Sequence, residues 1–555
     1  MQKKVNIISI VATSLTILWI CFLALTPIIS RDALILHMAF PKEWMKESFF
    51  YFQDYNLSTV SMMNLDYVYM LLLKFFHWDQ LPKIFHASML LGSGVILYLF
   101  LKKKFGQNQA FIFSLIFVLI PINQRLASEA YVDLGVLFFS TIAIIYFIKW
   151  LESDLEKLNY IIISAIASGL SIGSKYSGAI LPNVITLIIG FIYARSKKKN
   201  LKALNLMALY TLIIFVAISP WLIRNYAAVG NPFFPLLNSV FNPDVIRVES
   251  NLEVPPNEYA TRKLFGESPF SIISIPFRMF FSGKDNDLFG GFGGVLNPML
   301  LIMFIPLLFT RFRSRSSNER TIKYLSVIFL LILAFFLGYG HLRIRYFIYS
   351  IPLLIILNAY SFDILVKSKI ISKSKIKNFI LYSILTLFMF FNLKYSVSLY
   401  NKVDTFNYIF GDETKDEYLS KKLSGYSVAQ RINDNSPKDA VIYEVLCGHR
   451  TYHIDRKVVF DDYMLDRYFY NMIDSGASSD KYLEHLSNLP FKGVNRAKYL
   501  MIKPHGFVIN YKNIFTDTDS LVKIKVDKFN AFLQEQAPLY INSGTYIYEL
   551  KYNDR

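Results

Sequence analysis

The sequence predicts a polytopic α-helical membrane protein, with about 11 transmembrane helices, that carries a soluble α/β domain at its carboxy terminus. Three observations predict it. Of 555 residues, 54% are hydrophobic and only 18% charged, where a soluble protein carries about a quarter. The apolar residues gather into runs of about twenty, the length that crosses a bilayer as a helix. Beyond residue 400 those runs stop, and short β-type segments alternate with helical ones.

The first run, Val5 to Ile29, follows Lys3 and Lys4, which keep the amino terminus cytoplasmic. No small-residue cleavage site follows it, so it reads as an anchor and not as a signal peptide. Ten further spans are expected at about 84–101, 109–122, 130–150, 159–174, 177–194, 203–221, 295–310, 322–340, 346–366 and 377–397. Alternating them places Lys3–Lys4, Lys102–Lys104, Arg195 to Lys202, Arg311 to Lys323 and Lys367 to Lys377 on one side. That is the positive-inside pattern, with Glu152 to Glu156 a mild exception. It accounts for the net charge of +18 and excludes nucleic acid as a partner. Segments 31–83, 222–294 and 398–555 then lie outside. The expected setting is a bacterial inner or plasma membrane, with the amino terminus cytoplasmic and the carboxy-terminal domain extracytoplasmic. The expected division is a membrane domain over 1–400 and a soluble domain over 401–555.

Within segment 31–83, Leu34 to Trp44 and Leu65 to Phe76 mix aromatic and aliphatic residues with His37, Lys42 and Lys74, as helices lying in the interface do. Segment 222–294 ends in Gly290-Gly291-Phe292-Gly293-Gly294, a stretch free to move or turn tightly. It lacks the preceding strand and following helix of a nucleotide loop. In the tail, Tyr418 to Ile432 and Ser479 to Leu489 read as helices. Ala440 to Leu446, Lys457 to Phe460, Ala497 to Ile502 and Thr545 to Tyr552 read as strands. Two cysteines, Cys21 and Cys447, cannot build a disulfide framework.

The chemistry-bearing residues cluster on the outer side. Asp32 emerges directly after the first span, where a carboxylate can accept a proton. Glu129 and Asp133 stand four apart, on one face of a helix if the fourth span begins there. Such a pair suits a metal, an amine, support for Asp32, or plain solvent exposure. Lys175 is the single charge in the short connection Gly169 to Gly178. Arg224 follows Pro220-Trp221, and His341, Arg343 and Arg345 precede the tenth span. Outer cations run against the positive-inside trend, and ammonium and guanidinium groups bind phosphate oxygens. Snorkelling or anchoring beside Trp221 and Tyr346 is the plainer alternative. His449 and His453 hint at zinc, but Gly448 and the flanking strands do not suit a metal helix.

At these residues the chain resembles the GT-C superfamily of polyprenyl-phosphate-sugar-dependent glycosyltransferases, in particular the protein O-mannosyltransferase and lipid A aminoarabinose transferase branch. Similar features are Asp32 after the first span, Asp133 opening the fourth, and the turn carrying Gly169, Gly173 and Lys175. The stretch Pro220 to Pro232 and the Arg345, Tyr346 and Pro352 element are similar too. The likeness covers roughly residues 5–366. It departs from the eukaryotic protein mannosyltransferases, whose first outer loop has two adjacent acidic residues: here Arg31 precedes Asp32 and Ala33 follows it.

The resemblance implies an inverting transfer from a polyprenyl-phosphate monosaccharide to an acceptor hydroxyl on a glycan, lipid or protein. Asp32 would be the base, with Glu129 and Asp133 as further catalytic candidates. Lys175, Arg224, Arg343, Arg345 and His341 would face the donor phosphate. No cofactor is called for, although Asp32, Glu129 and Asp133 could converge on a divalent cation. Two rivals are an oligosaccharide ligase or polymerase using diphosphate-linked glycans, and a lipid or sugar transporter. The latter would carry charges at mid-bilayer, often within repeats, whereas here they cluster at one face.

Overall fold

The structure is a computed structural model that describes residues 2–45, 47–53, 56–197, 200–241, 258–264, 266–286, 291–310, 317–339, 342–367, 375–460, 467–474, 478–491, 494, 496–503, 519–542 and 544–552. Among these, seven helices are long and apolar enough to cross a membrane: Leu81–Phe105, Asp133–Glu152, Tyr176–Arg195, Leu201–Val229, Asn318–Gly338, Ile344–Lys367 and Phe379–Val403. Gln107–Val118 and Pro121–Ala127, bent by 59°, pass the same test together and make an eighth if the pair is one span. Pro121 has no N–H to continue the ladder, so the bend falls there. The shorter apolar helices Ser9–Leu25, Leu158–Ser174 and Met299–Phe309 occupy the remaining expected spans. The last of these rises only about 16 Å, half a bilayer. Pro306 splits it into Met299–Ile302 and Ile305–Phe309.

Helix ends follow local chemistry. Leu81–Phe105 opens on Pro82, closes with Lys102 to Lys104 in its last turn, and stops at Gly106, which has φ +83°. Helix Leu158–Ser174 packs closely on its neighbours through small residues. Ser140 and Ser171 hydroxyls meet at 3.1 Å, and Ser164 and Ser168 both contact the Tyr210 hydroxyl. Large apolar side chains such as Leu99, Phe191, Val216, Phe335 and Phe390 point outward, as lipid-facing residues do.

The outer segment 31–83 differs from expectation in one respect. Ala39, Phe40, Pro41 and Trp44 are buried, so the apolar face of this helix packs on protein. In helix Asn64–Phe76 one face, including Leu65, Tyr69 and Leu73, is buried, while Tyr67, Phe75 and Phe76 stay exposed.

The tail builds a five-stranded sheet of order β2-β1-β3-β5-β4 from β1 (Val441–Val445), β2 (Lys457–Val459), β3 (Tyr499–Ile502), β4 (Ala537–Asn542) and β5 (Thr545–Glu549). The first three strands are parallel, pairing Ile442 with Val458 and Tyr499; β5 runs antiparallel to β3 and β4. β4 and helix Asp519–Glu535 add to the expected elements. The expected helix Tyr418 to Ile432 is broken at Leu423–Gly425 into Lys415–Lys422 and Tyr426–Asn435. A second hydrophobic core surrounds the sheet from Val428 onward, whereas Tyr418, Leu419, Leu423 and Tyr426 belong to the membrane-helix core. Lys42 ties the two together. Its ammonium donates to the Tyr452 and Ile454 carbonyls at 2.9 and 3.1 Å and to Asp455 at 2.7 Å. A Lys415–Asp79 pair at 2.5 Å adds a second tie.

Candidate active site

Asp32 sits on the turn that follows the first helix, Gln2–Leu25. The end of that helix is fixed by Lys83, a buried lysine whose ammonium donates to the Thr26 carbonyl at 2.9 Å and its hydroxyl at 2.7 Å. Leu34 N–H then donates to Ser30 O at 3.1 Å, folding residues 30–34 into a turn with Asp32 at its outer corner. The carboxylate accepts from Arg345 Nη1 at 2.5 Å, with the arginine side chain 9% exposed and the aspartate 35%. One partner is thus fixed and the other open. Burial by itself would raise the Asp32 carboxyl. The Arg345 charge and hydrogen bond, then Lys175 and His37, outweigh it and hold the group at about 2 instead of 3.8.

Arg345 is carried by the 3-10 turn Ile344–Ser350. The Gly-rich segment supports that turn: Ile344 N–H donates to Phe292 O at 2.8 Å. Lys284 N–H and Gly294 N–H close the segment onto Gly291 O and Lys284 O at 2.6 and 2.7 Å, and Phe292 and Gly293 take φ 60° and 51°. Of the two expectations for this segment, the tight turn is the one realised; Gly290 lies outside the described residues.

Lys175 leaves helix Leu158–Ser174 in extended backbone, φ −167°. Gly173 lets Asn64 approach the end of that helix, since a Cβ there would lie 2.2 Å from Asn64 Nδ2. Lys175 Nζ donates to Asp133 Oδ1 at 2.8 Å, and that carboxylate is 1% exposed. Lys175 and Arg345 both lie over the Tyr346 ring, each 5.1 Å from its centroid, and Arg345 also lies 5.5 Å from the Tyr131 ring. Two cations, each paired with its own carboxylate, therefore share one aromatic floor. Arg345 Nε and Asp133 Oδ2 are left without partners among the described residues.

Sequence reasoning missed several supports of this group. His37 Nδ1 and Asp66 Oδ1 are 2.7 Å apart in buried surroundings, and the His37 ring is 5.9 Å from Tyr131. His86 holds the 129–134 backbone: Leu134 N–H donates to its Nε2 at 2.9 Å, so Nδ1 carries the proton and donates to Glu129 O at 3.0 Å. Asp66 lay in an amphipathic stretch and His86 within a span. A buried polar residue in a hydrophobic run was the signal available for both.

Other expected residues stand outside these two ion pairs, although Glu129 is close enough to feel the Arg345 and Asp32 charges. Glu129 is buried against Arg125 at 3.3 Å, and Arg125 reaches Asp285 at 3.6 Å. Burial raises the Glu129 carboxyl above its ordinary value even though the Arg125 charge opposes this. Arg224 does not face the cluster. Its guanidinium donates to Phe49, Tyr51 and Thr59 carbonyls at 3.2, 2.7 and 2.9 Å, over the Phe40, Trp44 and Trp221 rings. Three of its five N–H donors are thus spent on residues 49–59. Arg343 is half-buried where the 3-10 turn begins, and His341 lies outside the described residues. The three carboxylates do not converge on a cation: Asp32, Glu129 and Asp133 each pair with a different basic residue. No group of three or more His, Cys, Asp or Glu placed to hold a metal occurs among the described residues. His449 stacks on Phe460 at 4.3 Å, and His453 contacts the Tyr426 and Tyr452 rings.

Comparison with known proteins matches residues 64–223 to the family described as dolichyl-phosphate-mannose-protein mannosyltransferase. No curated protein sequence matches the chain. Among solved structures, ArnT from Cupriavidus metallidurans bound to undecaprenyl phosphate is 12% identical with a TM-score of 0.58, over 99% of this chain and 98% of that one. The Archaeoglobus fulgidus oligosaccharyltransferase tethered to an acceptor peptide is 11% identical with a TM-score of 0.54, over 98% of this chain and 74% of that one. The family match lies within the membrane helices and the fold is shared along nearly the whole chain, so the chain has the fold of ArnT and of the oligosaccharyltransferase, and residues 64–223 are similar to the dolichyl-phosphate-mannose-protein mannosyltransferases.

Proposed function

We propose that this protein is a glycosyltransferase that moves a monosaccharide from a polyprenyl monophosphate to an acceptor hydroxyl on the extracytoplasmic face of the membrane, inverting the anomeric centre. The observation that carries the reading is the shared Tyr346 floor, which holds two cations, each tethered to its own carboxylate. Lys175 and Arg345 fit a departing phosphate, the cation arrangement that stabilises charge as it develops. Asp133 is a positioning residue that aims Lys175. Arg343, at the start of the same turn, remains a candidate donor-side cation.

Asp32 takes the acceptor proton as the acceptor oxygen bonds to the anomeric carbon and the sugar–phosphate bond breaks. The electron pair of that bond leaves on the phosphate. At about 2 the resting Asp32 is a weak base, because Arg345 neutralises it. A phosphate drawing on the same guanidinium weakens that hold, so donor binding makes Asp32 more basic. The unpartnered Arg345 Nε is the donor available for a first phosphate oxygen. ArnT with its undecaprenyl phosphate supports the choice of a monophosphate carrier. The fold likeness to the oligosaccharyltransferase keeps a diphosphate-linked glycan as the second reading.

The purified full chain, loaded with labelled polyprenyl monophosphate, separates the two. Competition by polyprenyl-phosphate mannose or aminoarabinose should be at least about tenfold tighter than by a polyprenyl-diphosphate oligosaccharide, a preference of about 1.4 kcal/mol. Tighter binding of the diphosphate overturns the monophosphate reading.

A further inference from the structure

A cavity of about 220 Å³ lies where the soluble domain meets the turn that carries Asp32. Arg31 and Leu34, on either side of Asp32 in the chain, form one wall. The opposite wall is the carboxyl end of the parallel strands β1 and β3, including Glu444, Gly448, Arg450 and Lys503. β1 lies between β2 and β3, so the chain leaves it to one side and returns on the other. Ligands of open α/β sheets settle in the crevice at such a crossing point. The volume is below that of drug-sized sites, about 300–1,000 Å³, and suits one sugar ring.

The lining is chemically specific. Glu444 is 1% exposed; its Oε1 accepts from His449 N–H at 2.6 Å, and its Oε2 has no partner among the described residues. A buried carboxylate oxygen left this way calls for a donor. Arg31 and Arg450 stand at the exposed mouth. Burial, then the nearby Arg31 charge, depress Arg450 from its ordinary value, so the two guanidiniums stand close enough to repel. Lys503, just past the end of β3, adds a third cation.

We propose that this cavity is the acceptor site and selects a hydroxylated sugar bearing an oxyanion, either a carboxylate or a phosphate. A ring hydroxyl donates to Glu444 Oε2, while the oxyanion neutralises Arg31 and Arg450. The wall shared with the Asp32 turn then brings another hydroxyl of the same acceptor towards the base. This rests on the transfer reading above and gives its acceptor a chemical class.

The test is binding to the purified full chain, measured calorimetrically with glucuronic acid, glucose 6-phosphate and glucose, beside polyprenyl monophosphate. At least one acidic sugar should saturate at a concentration at least about tenfold below that for glucose, and the stronger of the two identifies the oxyanion. Arg450→Gln should weaken that binding tenfold or more while polyprenyl monophosphate binds as before. If Arg450→Gln does not fold, Lys503→Gln takes its place with the same expectation. Equal binding of glucose and the acidic sugars, absence of saturable binding by any of them, or acidic-sugar binding untouched by the variant overturns the proposal. Loss of polyprenyl monophosphate binding alone counts against the donor reading and leaves this one standing.

Discussion

Arg224 and Arg345 look alike in the sequence, two outer arginines near aromatic residues, and the structure gives them opposite work. Arg345 keeps one nitrogen unpartnered among the described residues and one on a half-open carboxylate, whereas Arg224 gives three N–H groups to backbone carbonyls of residues 49–59. Removing Arg224 leaves those carbonyls without a charged donor, and unsatisfied buried groups cost about 1–3 kcal/mol each. Arg224→Ala should therefore lower the melting temperature in detergent by several degrees, with Arg224→Lys intermediate, and leave donor affinity in the surviving folded protein within about threefold. A stable Arg224→Ala variant with donor affinity reduced tenfold would place this arginine at the phosphate after all. The two roles were not separable from the sequence. A side chain's hydrogen-bond partners depend on which outer segment folds beneath it, and residues 49–59 lie more than 150 positions away in the chain.

At the scale of elements, the Gly-rich segment shows how distant pieces fix one cation. Gly283 has no room for a side chain: a Cβ would lie 2.5 Å from the Gly294 carbonyl oxygen. Displacing that strand of backbone would disturb the Phe292–Ile344 hydrogen bond and with it the turn bearing Arg345. Gly283→Ala should cut turnover at least about tenfold, because small misplacements of catalytic groups are costly. Turnover near that of the parent would show that the turn is held by other contacts. The helices themselves were legible, since runs of apolar residues with basic ends dictate them almost alone. Less legible were β4, whose Pro538 breaks the strand pattern, and the helix break at Leu423–Gly425, which tertiary packing of Leu423 into the membrane-helix core imposes. The convergence of Asp32, Asp133, Lys175 and Arg345 was legible only as a shared side of the membrane. Their pairing needed the fold.

For the whole molecule, the alternation of spans and the basic clusters predict a soluble domain opposite the cytoplasm, and Lys42 and Lys415 clamp that domain over the Asp32 turn. A reporter that matures only in the cytoplasm, fused to the carboxy terminus, should stay silent in a bacterial host, while a periplasm-dependent one should be active. The reverse pattern would invert the topology and put the cluster on the wrong face for an extracytoplasmic acceptor. On that topology, Asp32 is the residue proposed as the base. Asp32→Asn preserves size and can still accept a hydrogen bond from Arg345, but removes the basicity. The most direct measurement is its turnover beside its affinity for polyprenyl monophosphate. The expected result is turnover reduced at least about a hundredfold with affinity within about threefold of the parent. Turnover near that of the parent would contradict the assignment and move the base to Glu129 or Asp133.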